Sequence, residues 1–168
     1  MAKSDNLRID PTRLWDNHME MAKIGPGIAG GNNRQTLTDE DRVGRDLFRK
    51  WCESAGMTLT VDRIGNMFAR RPGRNNDLPP IMMGSHLDTQ PTGGRFDGVF
   101  GVLAGLEVVR TLNDLGLETE APLEVVNWTN EEGGRFPPPM VGSAVFAGQM
   151  PLEKALDIHD LEGARFGD

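Results

Sequence analysis

Apolar residues recur along the first third of the chain with the spacing of a helix. Between positions 38 and 56 they return every three or four residues, which predicts an amphipathic helix ending at Gly56. Thr38 and Asp41 stand at the spacing of the capping box that begins many helices. An earlier helix is predicted over residues 10–24, because that segment opens with Asp-Pro, a cap residue followed by proline in the first helical position.

From residue 57 onward, apolar and polar residues alternate one by one, a pattern that is typical of strands. Residues 57–62 alternate in this way, and residues 66–71 follow as a second strand that pairs with them in a hairpin. Residues 80–85 predict a short buried strand, 98–116 a helix that is apolar on nearly all sides, and 122–130 the next strand. Strand, helix and strand in this order form a βαβ unit with two parallel strands and a right-handed crossover. The pattern therefore predicts an α/β fold.

The composition argues against a nucleic-acid-binding, membrane or secreted protein. The chain has 168 residues, 38% of them hydrophobic and 26% charged, which is enough for one domain with a sizeable core. Its net charge of −7 opposes binding to nucleic acid or anionic lipid, and no apolar stretch approaches the length that crosses a bilayer. Cys52 is the single cysteine, and the start "MAKSDNLRID" has no apolar signal core. We therefore predict a cytoplasmic protein that binds neither nucleic acid nor membrane.

Ionisable residues gather where the predicted strands end. The stretch "GSHLDTQPTGGRFDG" places His86 and Asp88 after one strand and Asp97 directly before the following helix. Glu131 and Glu132 follow the next strand. Because the carboxyl ends of parallel strands meet at one edge of a sheet, we expect these side chains to form one patch. The glycines of the same stretch let the backbone pass close to a bound ion.

Such a patch needs a compensating cation, because crowded carboxylates repel one another. An imidazole with carboxylates and no thiolate suits Zn²⁺ or a similar divalent ion, and Asp97 could bridge two ions. Asp88 fits a carboxylate that orients His86. One of the paired glutamates can ligate a metal while the other takes a proton from water, and the spacing leaves open which does which. The alternatives for single residues are a surface histidine, a helix cap at Asp97 and a solvated glutamate pair.

Four motifs resemble a known family. The segments "GSHLDT", "GGRFDGVFGVLAGLEVVRTL", "TNEEGGRF" and "FPPPMVGSAVFAG" are similar, in order and spacing, to the N-carbamoyl-L-amino-acid hydrolase and allantoate amidohydrolase group. That group belongs to the dinuclear metallohydrolases of the M20 peptidase clan. The resemblance implies an α/β fold with a three-layer arrangement of a sheet and flanking helices, as part of a zinc-peptidase-like catalytic domain.

The resemblance also implies a role for each residue of the patch. His86 and Glu132 match metal ligands of the family, and Asp97 matches the aspartate that bridges both metals. Asp88 matches the residue that orients the ligand histidine, and Glu131 matches the general base.

Family members are more than twice as long as this chain. They carry two further metal-ligating histidines, an arginine that grips the substrate carboxylate, and a lid domain that forms a homodimer. We therefore predict that residues 1–168 are the N-terminal part of a single metallohydrolase catalytic domain, with the lid and dimerisation domain absent. The chain then supplies an incomplete ligand set for the two divalent ions of the intact site, Zn²⁺ or else Mn²⁺, Co²⁺ or Ni²⁺. A cis peptide bond is expected at Gly98.

The function that follows from the resemblance is metal-dependent hydrolysis of a linear C–N bond. The substrate would be a small molecule, namely an N-carbamoyl amino acid, a ureido acid or allantoate. Two alternatives stay open: a peptidase of the same clan, and a non-catalytic fragment that binds a partner chain.

Overall fold

The structure, a computed structural model, describes residues 7–168. The predicted absence of a signal rests on residues 1–10, of which residues 1–6 lie outside this range. In the described range the helices and strands follow one another in this order: α1 (Pro11–Met21), α2 (Asp39–Ser54), β1 (Thr58–Val61), β2 (Met67–Arg71), β3 (Ile81–His86), α3 (Val99–Asp114), β4 (Leu123–Trp128), α4 (Val141–Phe146) and α5 (Leu152–Leu156).

Side-chain caps begin the first two helices, as their sequences predict. The Arg13 amide donates to Asp10 Oδ1 over 3.0 Å at the start of α1, and the Asp41 amide donates to Thr38 Oγ1 over 3.2 Å at the start of α2. The capping box differs in one detail, since Asp41 Oδ2 accepts from the Leu37 amide rather than from Thr38. Leu37 has a positive φ of 58°, which turns its amide toward this carboxylate.

The four strands form one mixed sheet in the order β1-β2-β4-β3. β2 pairs antiparallel with β1 and with β4, whereas β3 and β4 are parallel and joined through α3. The α/β class, the hairpin and the parallel pair are therefore confirmed. In the parallel pair His86 lies opposite Trp128, so the chain leaves β3 and β4 at the same edge of the sheet. β3 is an edge strand among the described residues, and Ile81 on it is 60% exposed.

The main core lies between one face of the sheet and the helices α2 and α3. Two glycines allow α3 to approach the strands closely. A Cβ at Gly105 would lie 3.1 Å from the side chain of Val125, and one at Gly101 would lie 2.7 Å from that of Ser85. The core contains, among others, Phe48, Cys52, Met67, Ala69, Leu87, Val102, Leu106 and Val125. Among residues 7–168, none of the helices combines the length and the hydropathy that crossing a bilayer requires.

The stability of the chain is expected to fall with rising pH because of Asp41. Burial raises the pKa of this carboxyl from 3.8 to about 6, against the opposing effects of Arg45 and the Leu37 amide. A carboxyl with a raised folded-state pKa binds more protons folded than unfolded, so its contribution is lost as pH rises through about 4 to 6. Between those limits the free energy of unfolding of the unsubstituted chain should fall by about 3 kcal/mol more than that of Asp41→Asn, which lacks the titrating carboxyl.

Urea unfolding of both proteins across that pH range measures this difference. Asp39→Asn is the matched control, because Asp39 lies in the same helical turn with its side chain 87% exposed. Parallel pH profiles for the unsubstituted chain and Asp41→Asn would contradict the assignment.

Candidate metal centre

His86 ends β3 with its ring held by the turn that follows. Its Nδ1 lies 2.9 Å from the main-chain carbonyl oxygen of Asp88 and 3.7 Å from the carboxylate of the same residue. Because a carbonyl oxygen only accepts, Nδ1 donates here, and in the neutral ring the lone pair belongs to Nε2. Asp88 therefore orients the ring chiefly through its main chain. The Nε2 atom, which faces Glu131 Oε2 at 3.2 Å, is the one available to a metal.

The buried carboxylate of Asp88 joins the two loops of the site. Its Oδ1 accepts from the amide of Glu131 over 3.3 Å, and its Oδ2 accepts from the amide of Glu132 over 3.2 Å. Asp88 follows β3 and the two glutamates follow β4, so one side chain fixes the loops of both parallel strands against each other. This contact across the sheet edge is additional to the predicted contact with His86.

All three predicted metal ligands come together at this edge of the sheet. Ligating atoms of His86, Asp97 and Glu132 all lie within 4.8 Å of one another. Among the described residues, these three form the group that is close enough to share one ion. Asp97 does not cap α3, because Gly98 occupies the N-cap position and no side chain caps this helix. Its carboxylate is therefore not engaged by the helix whose start it precedes.

The carboxylate of Glu132 shows that a cation fits this group. Its Oε2 accepts from Gln90 Nε2 over 3.0 Å, whereas its Oε1 is buried without a hydrogen-bond partner. A buried carboxylate oxygen without a partner is costly, and a divalent ion between Glu132, His86 and Asp97 would satisfy it. Gln90 lies in the quoted stretch, but an amide has no ligand signature in a sequence, and its role was therefore not predicted.

Glu131 lies beside this group, with its side chain 32% exposed. Burial raises the pKa of Glu131 above its ordinary value. The nearby His86 lowers it, whereas the carboxylates around it raise it further. The other two histidines lie elsewhere: His159 is exposed, and His18 is buried in α1.

Gly98 allows the close approach of α3 to His86. A Cβ at this position would lie 2.3–2.5 Å from three atoms of the His86 ring, and the residue has a φ of +67°. The expectation of a cis peptide bond here is wrong, because within residues 7–168 the cis bond is Pro137–Pro138. The positive φ of Gly98 makes the sharp turn into α3 with trans peptide bonds.

Gly98→Ala is therefore expected to displace the His86 ring and to weaken divalent-ion binding by about 10- to 100-fold, the cost of losing the support of a ligand. Isothermal titration with Zn²⁺ measures the change. Gly94→Ala is the matched control, because a Cβ there meets no atom within 4 Å and the stretch is the same. Equal affinities for the two variants would contradict the role of Gly98.

The fold and the site define an α/β protein with a carboxylate-rich group at a sheet edge that could hold a divalent ion. The sequence model of Peptidase family M20/M25/M40 matches residues 82–166, and the chain belongs to this family. It is 62% identical over 167 residues to an N-carbamoyl-L-amino-acid amidohydrolase of Rhizobium meliloti, covering 99% of this chain and 40% of that protein. It is 44% identical to one of Geobacillus stearothermophilus, covering 92% and 38% respectively.

A solved structure is similar over the same region. The crystal structure of a hydantoinase/carbamoylase family amidase from Burkholderia ambifaria superposes with a TM-score of 0.96 at 61% identity, over 97% of this chain and 40% of that one. The chain therefore spans about 40% of the length of the relatives it matches.

Proposed function

We propose that the chain is the N-terminal part of the catalytic domain of a metal-dependent amidohydrolase that cleaves a linear C–N bond. The substrate class is an N-carbamoyl amino acid, a ureido acid or allantoate. The observation that carries this proposal is the grouping of His86, Asp97 and Glu132 within 4.8 Å, with Glu131 beside them.

His86, Asp97 and Glu132 would hold the ion. A divalent metal bound there supplies Lewis acidity, which polarises a carbonyl and acidifies water. The chain itself fixes the geometry, since Asp88 holds the amides of both glutamates and Gln90 holds Glu132 Oε2, while Glu132 Oε1 has no hydrogen-bond partner. Asp97 would supply its carboxylate to the ions of the intact site, in the role that the family resemblance implies for it.

Glu131 is the proposed general base. Its carboxylate lies on the partly exposed side of the group, where a substrate can reach it, and its Oε2 is within 3.2 Å of the ligand atom of His86. From this position it takes a proton from the attacking water and returns it to the leaving nitrogen. The proposal therefore gives the paired glutamates separate roles, with Glu132 as ligand and Glu131 as base.

The similarity to N-carbamoyl-L-amino-acid amidohydrolases supports the carbamoyl class over a peptide. Zinc as the native ion, a homodimer and a cytoplasmic location stay predictions.

Product release tests the proposal: ammonia is measured for the carbamoyl, ureido and allantoate substrates, and free amino acids are measured for the dipeptide, because cleavage of a peptide bond releases no ammonia. The chain is fused to the downstream part of the Rhizobium meliloti relative, loaded with Zn²⁺, Mn²⁺, Co²⁺ or Ni²⁺, and given N-carbamoyl-L-amino acids, allantoate and a dipeptide. We expect hydrolysis of a carbamoyl or ureido substrate and none of the dipeptide. Hydrolysis of the dipeptide alone would assign the site to a peptidase.

A further inference from the structure

Arg34 is a fully buried arginine within the glycine-rich segment between α1 and α2. Its exposed fraction is 0%, and within residues 7–168 no carboxylate lies within ion-pair distance of its guanidinium. Burying a charged group is costly unless its donors are satisfied, so the contacts of this side chain show what it stabilises. Nε and Nη1 donate to main-chain carbonyl oxygens rather than to acids, whereas Nη2 is buried without a hydrogen-bond partner.

The guanidinium reaches the turn that carries the site. Arg34 Nε donates to the carbonyl of Leu87 over 2.8 Å, and Nη1 donates to the carbonyl of Ile24 over 2.8 Å. Leu87 stands between His86 and Asp88, the ligand and its orienting residue. One side chain thus links the end of α1 to the centre of this turn.

The main chain of Arg34 holds the same turn one residue further on. The Arg34 amide donates to Thr89 Oγ1 over 2.7 Å, and the Thr89 amide donates back to the Arg34 carbonyl over 2.9 Å. Asn32 and Gly93 exchange a similar pair of main-chain hydrogen bonds at 2.9 and 3.0 Å. The segment around Arg34 is therefore hydrogen-bonded to the turn on both sides of Asp88, at Leu87 and at Thr89.

We propose that Arg34 is a positioning residue for the metal centre. By fixing Leu87 and Thr89 it sets the place of His86 and of the Asp88 carboxylate, and through Asp88 the place of the Glu131 and Glu132 amides. This inference rests on the proposed function, which it deepens by naming the residue that holds the ligands in their geometry.

A lysine cannot replace this arginine. An ammonium is a single point, whereas the guanidinium presents Nε and Nη1 in a fixed fork to two carbonyls at once. The space is also closed, since a Cβ at Gly44 of α2 would lie 2.9 Å from Arg34 Cδ. Arg34→Lys is the closest aliphatic amine and loses the fork, so it tests whether the two carbonyls must be held at once.

Co²⁺ binding by the 168-residue chain tests the inference, with visible absorption as a report on ligand geometry. For Arg34→Lys we expect affinity to fall by about 10- to 100-fold, with a changed absorption spectrum. Arg13→Lys is the matched control, because Arg13 forks onto the buried Glu107 at 2.8 and 2.7 Å, outside the ligand turn. This control should lose stability without a change in affinity or spectrum.

Each outcome decides between the two roles. If Arg34→Lys unfolds more easily but binds Co²⁺ with the affinity and spectrum of the unsubstituted chain, Arg34 is only structural and the inference is overturned. If Arg34→Lys does not fold, Arg34→Gln takes its place, because its neutral amide removes the fork onto the carbonyls of Leu87 and Ile24 without burying a charge, and unchanged Co²⁺ affinity and spectrum in it overturn the inference equally. Absence of Co²⁺ binding in the unsubstituted chain would instead refute the proposed metal centre, and this inference with it.

Discussion

Asp97→Asn is expected to bind a divalent ion at least about 100-fold more weakly than the unsubstituted chain, because even the loss of a supporting residue costs about 10- to 100-fold. The substitution removes a ligand oxygen's charge and leaves the size of the side chain unchanged. The fold should tolerate it, since Asp97 makes its helix contact through the main chain, where its carbonyl accepts from Val99 over 2.7 Å. The side chain does not cap α3.

Metal content after dialysis against Zn²⁺, measured by mass spectrometry, is the direct readout. Asp16→Asn is the matched control, an exposed aspartate of α1 outside the ligand group. Equal metal content in the Asp97 and Asp16 variants would remove Asp97 from the ligand set and leave His86 and Glu132 without a third protein ligand.

The order of helices and strands could be predicted because each element carries its own period. The apolar helix α3 between two predicted strands implies a parallel pair, and a parallel pair places its following loops at one edge. The order of the elements alone therefore predicts that His86 and Glu132 lie at the same edge of the sheet. The prediction that β3 is buried is wrong, because β3 lies at an edge of the sheet among the described residues and only His86 of its six residues is buried. Helices α4 and α5 were not predicted, because six and five residues are too short to show a period.

Details that depend on contacts between distant segments could not be predicted. The Asp88 carboxylate accepts from amides 43 and 44 positions away, so its second role exists only once the two loops meet. Arg34 is a more severe case. A charged residue in a polar, glycine-rich stretch indicates a solvated loop, yet its guanidinium is enclosed and bonded to carbonyls from two other segments.

The paired glutamates show where sequence and structure complement each other. Adjacent residues of one type are equivalent in a sequence, and the spacing alone left the roles of Glu131 and Glu132 open. In the structure their surroundings differ. Glu132 has one oxygen held by Gln90 and the other buried without a partner, whereas Glu131 is partly exposed beside His86 Nε2.

Glu131→Gln is therefore expected to lower ammonia release by about 10²- to 10⁴-fold, the range that a positioned general base contributes. The amide keeps the shape of the side chain but cannot accept the proton of the attacking water. Its metal content should stay that of the unsubstituted protein, because Glu131 is not in the ligand group. The measurement uses the fusion with the downstream part of the Rhizobium meliloti relative.

Glu132→Gln is the matched control for this prediction, and it should lose both metal and turnover because its carboxylate belongs to the ligand group. The two variants differ by one position along the chain, so a general effect on the loop would change them alike. A Glu131→Gln protein that retains metal and most of its turnover would show that another group accepts the proton. Loss of metal in both variants would place Glu131 among the ligands, and the division of roles between the two glutamates would then be wrong.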